Sequence, residues 1–334
     1  MSGLATRTVG RTDVTVTSLG FGAGQLGIIR GLPVSGQQAR DTLAAAWEAG
    51  VRYFDTSPYY GHGRSEHRLG SFLQDQQRNE YAVSTKIGRL FAPAPNGVES
   101  TLWPDPLEFD FRFDYSYDGI MRSHEQSLHR MGISSIDLLL VHDVDELEGD
   151  RLDLALRQLF SSGAKALAEL RAGGTVGGIG AGLNTTGMMP RLLAEIDLDC
   201  YVLAMPYTLL DQEALEGDFP LCEERGVGVV IGAPFASGIL ATGVTDQAQY
   251  RYEPATLPVR KKTNRIEATC QRYGVPLRAA ALQFPLRHPV VSAVIPGPAT
   301  PAQARDNAAV ARWPIPDELW TELRDEGLVR ADAP

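Results

Sequence analysis

Residues 52–56 read RYFDT, residues 81–87 read YAVSTKI and residues 137–142 read DLLLVH. Each is a short run of aromatic, β-branched and aliphatic residues, too short for a helix and long enough for a buried strand. Each also carries one polar residue near its C-terminal end: Asp55, Lys86 and His142. Amphipathic stretches at 64–78 and 117–132 separate the three runs. Strands alternating with helices of this length predict a parallel sheet covered on both faces. The same alternation continues outward in both directions. Further strands are predicted at 18–22 (SLGFG), 175–181 (TVGGIGA), 200–207 (CYVLAMPY), 227–234 (VGVVIGAP) and 291–297 (VSAVIPG). Helices are predicted at 35–50, where Ser35 opens and Gly50 stops the pattern, at 153–172, 186–195 and 211–226, as a pair over 259–288, and at 301–311. Eight strands, each followed by a helix, close an α/β barrel of the (β/α)8, or TIM, type. The whole chain, 1–334, is therefore expected to form a single barrel domain. A hairpin over 6–9 and 14–16, turning on GRTD, closes its bottom, and a helix at 316–326 follows the last unit. Residues 88–116 are read as a long structureless active-site loop, rich in Pro and aromatics, above the third strand.

Composition narrows the function. The 334 residues include 31 basic and 41 acidic side chains, a net charge of −10. Such a surface repels phosphate backbones and anionic lipid, so neither nucleic acid nor membrane is expected as a partner. No apolar run approaches the ~20 residues that span a bilayer. The first residues carry no apolar leader, which points to the cytoplasm. Cys200, Cys222 and Cys270 lack metal or disulfide spacing and read as buried thiols. No metal site is expected.

Gly22-Ala-Gly24-Gln-Leu-Gly27 matches GxGxxG, the phosphate loop of dinucleotide-binding βαβ units. That loop must open directly into a helix, whereas IIRGLPVS follows here and cannot start one before about Ser35. The motif reads instead as a glycine-containing loop at the barrel mouth.

Strand ends of a barrel converge on one mouth, so residues distant in sequence become neighbours there. Asp55, Lys86 and His142 meet this condition, and Tyr60 lies five residues beyond Asp55 in DTSPYYG. A lysine inside a buried strand needs a carboxylate partner, and Asp55 on the adjacent strand supplies it. An ammonium near Tyr60 favours the phenolate and lowers a pKa of ~10 toward the working range. Tyr60 then exchanges a proton with a substrate oxygen that His142 orients. This is acid–base chemistry at a carbonyl or carbinol, and it requires a hydride carrier. His62, His67, His124, His129 and His288 read as surface or helix-packing residues.

These residues, with GFGAGQLG, AGVRYFDTSPYYGHGRSEHRLG, VSTKIG, IDLLLVHD and IPGPATPAQARDN, make the chain similar to the aldo-keto reductases over essentially its whole length. The resemblance implies a proton donor or acceptor, Tyr60, and a tetrad completed by Asp55, Lys86 and His142. It implies a nicotinamide cofactor across the barrel mouth. Residues in its path would be Gly22, Gly24, Asp55, Asn184, Tyr207, Pro234, Phe235, Ser237, Gly238, Leu240, Ile295, Gly297, Gln303, Asp306 and Asn307. Three positions depart from the family pattern: GAGLN replaces the usual Ser-Asn after strand five, Ala204 replaces a glutamine, and Gly232 replaces the aromatic that stacks on the nicotinamide. The segments VHDVD, DYSYDGIMRSHEQSLHRMG and PYTLLDQ resemble members that oxidise aldoses at C1, with pyridoxal dehydrogenases as kin. Oxidation of a cyclic hemiacetal to a lactone is the implied reaction. Tyr59, Trp103, Phe109 and Phe111, with Phe113, are the expected substrate walls. NAD is expected over NADP, because the basic pair that holds a 2′-phosphate is replaced by Gly297 and Gln303.

Overall fold

The computed structural model describes residues 3–29 and 33–334. Strands β1 (Thr6–Thr8) and β2 (Thr15–Thr17) pair antiparallel. The chain then runs β3 (Phe21–Gly22), α1 (Gly36–Glu48), β4 (Tyr53–Asp55), α2 (Arg64–Leu73) and β5 (Ala82–Ile87). A second hairpin, β6 (Arg89–Pro93) with β7 (Phe109–Phe113), precedes α3 (Tyr117–Met131) and β8 (Ile136–His142). Helices α4 (Gly149–Gln158) and α5 (Ala164–Ala172) lead to β9 (Val176–Leu183), α6 (Met188–Leu193) and β10 (Cys200–Ala204). After these come α7 (Asp218–Arg225), β11 (Gly228–Gly232), α8 (Ile239–Thr242) and a small hairpin, β12 (Gln249–Tyr250) and β13 (Glu253–Pro254). The chain ends with α9 (Leu257–Arg272), α10 (Leu277–Gln283), β14 (Val291–Ile295), α11 (Pro301–Val310) and α12 (Asp317–Asp325).

Eight strands form one parallel sheet in the order β14-β11-β10-β9-β8-β5-β4-β3. Its two edges meet: Leu19 bridges Val294, and the Gly20 amide donates to the Val294 carbonyl at 2.8 Å. The predicted TIM barrel is present. No helix among the described residues is long and apolar enough to cross a membrane.

Side-chain parity divides the core in two. Tyr53, Ala82, Leu138, Leu140, Val202, Val230 and Ala293 point into the barrel, where Val9, Val14 and Val16 of the bottom hairpin plug it. Phe54, Val83, Ile87, Leu139 and Val141 alternate with them and face the helices. Asp55, Lys86 and His142 share the inward parity, one step above the apolar layer. Strand geometry thus delivers three polar groups to one level of the mouth.

Two sequence expectations need correction, and a third gains a detail. The insertion at 88–116 is not structureless, because FDFRF on β7 pairs with RLFAP on β6 in the register Arg89↔Phe113 through Pro93↔Phe109. The helix expected over 153–172 is present and unbroken but contains a π-turn, Leu159–Gly163. A Cβ on Gly163 would meet the Tyr115 carbonyl at 2.3 Å, so the extra residue in the turn brings bare backbone against Tyr115. The helix expected over 211–226 is a 3₁₀ turn, Glu213–Glu216, followed by α7, with Gly217 between them. The GxGxxG segment forms a 3₁₀ turn, Ala23–Gly27, and among the described residues no α-helix starts before α1. Gly27 has a packing role there: a Cβ would meet the Tyr60 carbonyl carbon at 2.6 Å. All three cysteines are free and buried.

Candidate active site

Asp55 ends β4 and Lys86 stands on the adjacent β5, both nearly inaccessible, with side chains 3% and 2% exposed. The Lys86 ammonium donates to Asp55 Oδ2 at 2.7 Å, to Asp55 Oδ1 at 2.9 Å and to the Thr56 carbonyl at 2.8 Å. Ser84 donates to Asp55 Oδ2 at 2.6 Å, and the Tyr53 hydroxyl meets Ser84 at 3.0 Å. The predicted partnership of Asp55 and Lys86 is therefore real: two ammonium hydrogens go to Asp55 and the third to the Thr56 carbonyl.

Tyr60 sits on the loop after β4, its ring 5.5 Å from that of Trp103, 6.0 Å from that of His142 and 5.6 Å from Lys86 Nζ. Desolvation pushes its phenol well above the usual range, the Asp55 and Asp143 carboxylates push the same way, and Arg89 opposes them. The sequence expectation that Lys86 lowers this phenol is thus corrected: the net shift is upward, and the cation that opposes it is Arg89, which sequence reasoning passed over. His142 closes β8, and burial together with the Arg89 and Lys86 charges holds its imidazole well below its ordinary pKa. The ring stays neutral.

Arg89 opens the hairpin that was read as loop. It is buried, with Nη1 2.7 Å from His142 Nδ1 and Nη2 3.0 Å from Asp143 Oδ2. Its guanidinium lies 4.2 Å from the Tyr59 ring centroid and 5.0 Å from that of Phe113. The usable signal was local: an arginine directly after STKIG, on a strand opposite FDFRF.

The aromatic walls assemble as expected, with one exception. Tyr59 meets Trp103 edge-on at 5.6 Å and Phe111 at 5.4 Å. Phe109 instead stands 39% exposed at the start of β7. His62, expected at the surface or in helix packing, is buried, packs on Tyr59 and Phe111, and donates from Nδ1 to the Phe109 carbonyl at 2.7 Å. The Leu107 amide also donates to the Gly61 carbonyl at 3.1 Å. The loop carrying Trp103 is thereby fastened over the Tyr60 loop.

The other half of the mouth has a different character. Gly182 lies one residue before the end of β9, Ala204 and Gly232 end β10 and β11, and Ala204 pairs with Gly232 in register. A Cβ on Gly182 would meet Lys86 Cε at 3.1 Å, and one on Gly232 would meet Ala204 Cβ at 3.4 Å. Small residues here leave a floor of backbone beside the polar cluster. Asn184 stands at its edge, donating from Nδ2 to Asp143 Oδ1 at 3.1 Å. Beyond β11, Ala233, Ala236 and Ser237 adopt positive φ, and nothing lies within 4 Å of where a Gly238 Cβ would stand. Backbone held in that conformation clusters at ligand-binding sites. Pro234, Phe235 and Leu240 lie in this segment, and Ser237 Oγ accepts from the Tyr252 amide at 2.9 Å.

The remaining expected cofactor residues divide. Gly24 faces open space, while Gly22 packs so that a Cβ would meet the Ile295 carbonyl at 2.6 Å. Gln303 accepts from the Ala299 amide at 2.7 Å, Asp306 pairs with Arg278 at 3.1 Å, Asn307 is buried and Gly297 is exposed. Tyr207 is not brought to the mouth. Met205 turns the chain through φ 84°, and the Tyr207 ring is enclosed by Phe219, Phe284 and His288.

With Asp55, Tyr60, Lys86 and His142 gathered at its mouth, this (β/α)8 barrel is an oxidoreductase acting on CH–OH or C=O, as its family and its dehydrogenase relatives show. The sequence profile of the Aldo/keto reductase family matches residues 18–326, and the chain belongs to that family. It is 43% identical to pyridoxal 4-dehydrogenase of Microbacterium luteolum, covering 97% of each chain. It is 40% identical to D-threo-aldose 1-dehydrogenase of a Pseudomonas species, covering 95% of each. Among solved structures, the holo form of aldo-keto reductase AKR11C1 from Bacillus halodurans superposes with a TM-score of 0.77 at 24% identity, over 99% of this chain and 98% of that one.

Proposed function

We propose that the chain, acting as one barrel domain, oxidises a cyclic hemiacetal of the aldose type to a lactone with NAD as hydride acceptor. The observation that carries this reading is the pairing of Tyr60 and His142 beneath the aromatic walls of Tyr59, Trp103 and Phe111. Aromatic faces suit the apolar face of a pyranose or a heteroaromatic ring. Tyr60 takes the proton of the anomeric hydroxyl, His142 orients that oxygen, and Lys86 with Asp55 fixes the electrostatic frame around both. The cofactor, when bound, accepts the hydride from the anomeric carbon. Asn184 and the backbone floor at Gly182, Ala204 and Gly232 would hold its nicotinamide end, with Ser237, Gly238 and Leu240 along its length and Asp306 and Asn307 near the adenosine. Pyridoxal is the second reading, favoured by the aromatic box, since its cyclic hemiacetal presents the same carbinol on a pyridine ring. Initial rates of NAD reduction with L-fucose, D-arabinose, L-galactose and pyridoxal test the class. No reduction with any of them would sink the proposal, and the largest kcat/KM names the branch.

The state of Tyr60 sets the pH dependence. Its phenol is pushed up, so it is protonated near neutrality and the phenolate grows as pH rises. Oxidation uses the phenolate as base, so kcat for oxidation should climb toward ~10-fold per pH unit between about 7 and 9. Carbonyl reduction uses the phenol as acid and should not climb. A flat or falling oxidation profile would contradict Tyr60 as the base.

Cofactor choice follows from charge. A 2′-phosphate without a lysine or bidentate arginine is desolvated without compensation, whereas a 2′-hydroxyl needs only neutral partners. Gly297 and Gln303 supply no charge. NAD should exceed NADP by at least ~10-fold in kcat/KM, the ~1.4 kcal/mol of one good charged contact. Equal use would mean that Arg305 or Arg278 reaches the phosphate, and alanine at each position would show which.

A further inference from the structure

We infer that Arg89 is a positioning residue that locks His142 as the neutral Nε2–H tautomer, so that this ring is a fixed hydrogen-bond donor to the substrate oxygen. The inference rests on the proton-transfer roles proposed above, but not on which hemiacetal is the substrate. A guanidinium has five donors and no acceptor. Its Nη1 contact with His142 Nδ1 at 2.7 Å therefore makes Nδ1 the acceptor, and the ring hydrogen must reside on Nε2. Ser57 is consistent with this assignment: its oxygen accepts from the Tyr59 amide at 3.0 Å, and with Nδ1 an acceptor its hydroxyl faces that nitrogen as a donor at 3.1 Å.

The groups around the ring explain why an arginine is needed. Asp143 Oδ2 lies 3.3 Å from His142 Nε2 and, unopposed, would draw a second proton onto the ring. Arg89 takes that same oxygen at 3.0 Å, and Asn184 takes the other at 3.1 Å, so the carboxylate is occupied from two sides. Lys86 adds a further positive charge from β5, itself balanced by Asp55. Tyr115 donates to the His142 carbonyl at 2.8 Å, which holds the backbone but leaves the ring untouched. The aromatic rings of Tyr59, Phe111 and Phe113 pack on the Arg89 guanidinium and keep it in place. The hairpin is thus the device that delivers a cation to the far side of His142.

Long-range 1H–15N correlation of the histidine side chains tests this without any substrate, with His142 assigned from a His142→Gln spectrum. In the wild type, His142 should show the Nε2–H pattern alone, unchanged from about pH 5 to 9. In Arg89→Met, a mixture of the two tautomers should appear, because Nδ1 has lost its charged donor, while burial and Lys86 still oppose the protonated ring. Arg89→Lys keeps a cationic donor and should restore most of the Nε2–H tautomer. Turnover in Arg89→Met should fall ~10-fold or more, the loss of one aligned donor at the reacting oxygen. A wild-type Nδ1–H pattern, or an unchanged Nε2–H pattern in Arg89→Met, overturns the inference. So does an altered tautomer with kcat unchanged. Where Arg89→Met does not fold, the wild-type and Arg89→Lys spectra decide. A wild-type enzyme inactive on every hemiacetal would count against the proposed substrate class and leave the histidine assignment standing.

Discussion

Tyr60→Phe is expected to lower kcat by ~10²-fold or more while the dissociation constant for NAD stays within a few-fold of wild type. The substitution keeps the ring, so its contacts with Trp103 at 5.5 Å and His142 at 6.0 Å have no reason to change. What is lost is one hydroxyl, and with it the route by which the anomeric proton leaves. Stopped-flow oxidation with a saturating hemiacetal measures the chemical step, and fluorescence titration measures cofactor affinity. A second consequence separates this role from mere packing. The alkaline climb of the wild-type rate should disappear, because the group that titrates is gone. Turnover within a few-fold of wild type would remove Tyr60 from proton transfer. A large loss of NAD affinity would show that the hydroxyl holds the cofactor instead.

How far the sequence was legible depended on whether local pattern or tertiary contact decided each feature. The eight barrel strands were visible as short apolar runs, and Asp55, Lys86 and His142 stood out because a polar residue in such a run needs a reason. Parity then did the rest, since all three fall in phase with Tyr53, Ala82 and Leu140. The hairpin at 89–113 was hidden because Pro and Gly crowd residues 93–106 and mask the alternation of FDFRF. Arg89 was lost with it. The π-turn inside the helix over 153–172 has no local cause, because Gly163 is needed only where backbone meets Tyr115. Tyr207 was assigned through family resemblance on the assumption that its strand stays regular. The left-handed turn at Met205 ends that strand and sends the ring into the helical layer. His62 was read as a surface or helix-packing residue because the partner that buries it, the Phe109 carbonyl, lies 47 residues away.

Lys86→Met should destabilise the fold more than a typical core substitution. In the wild type, Lys86 makes two hydrogen bonds to Asp55 and one to the Thr56 carbonyl in a site closed to water. Removing one partner of a buried ion pair leaves the other charge uncompensated, at a cost of about 3–5 kcal/mol. Asp55 would retain the Ser84 hydroxyl as its donor at 2.6 Å, which does not replace an ammonium. The sign of the pH effect follows. An orphaned buried carboxylate folds at lower cost when it is protonated, so the variant's deficit should shrink as pH falls from 8 to 5. The double variant Asp55→Asn with Lys86→Met removes both charges and should recover at least half of the loss. Urea denaturation midpoints at pH 5 and pH 8 for the two single variants, the double and the wild type form a complete cycle. If the double variant is instead as unstable as the sum of the singles, the two residues do not compensate each other. The pair would then owe its place at the barrel mouth to catalysis alone.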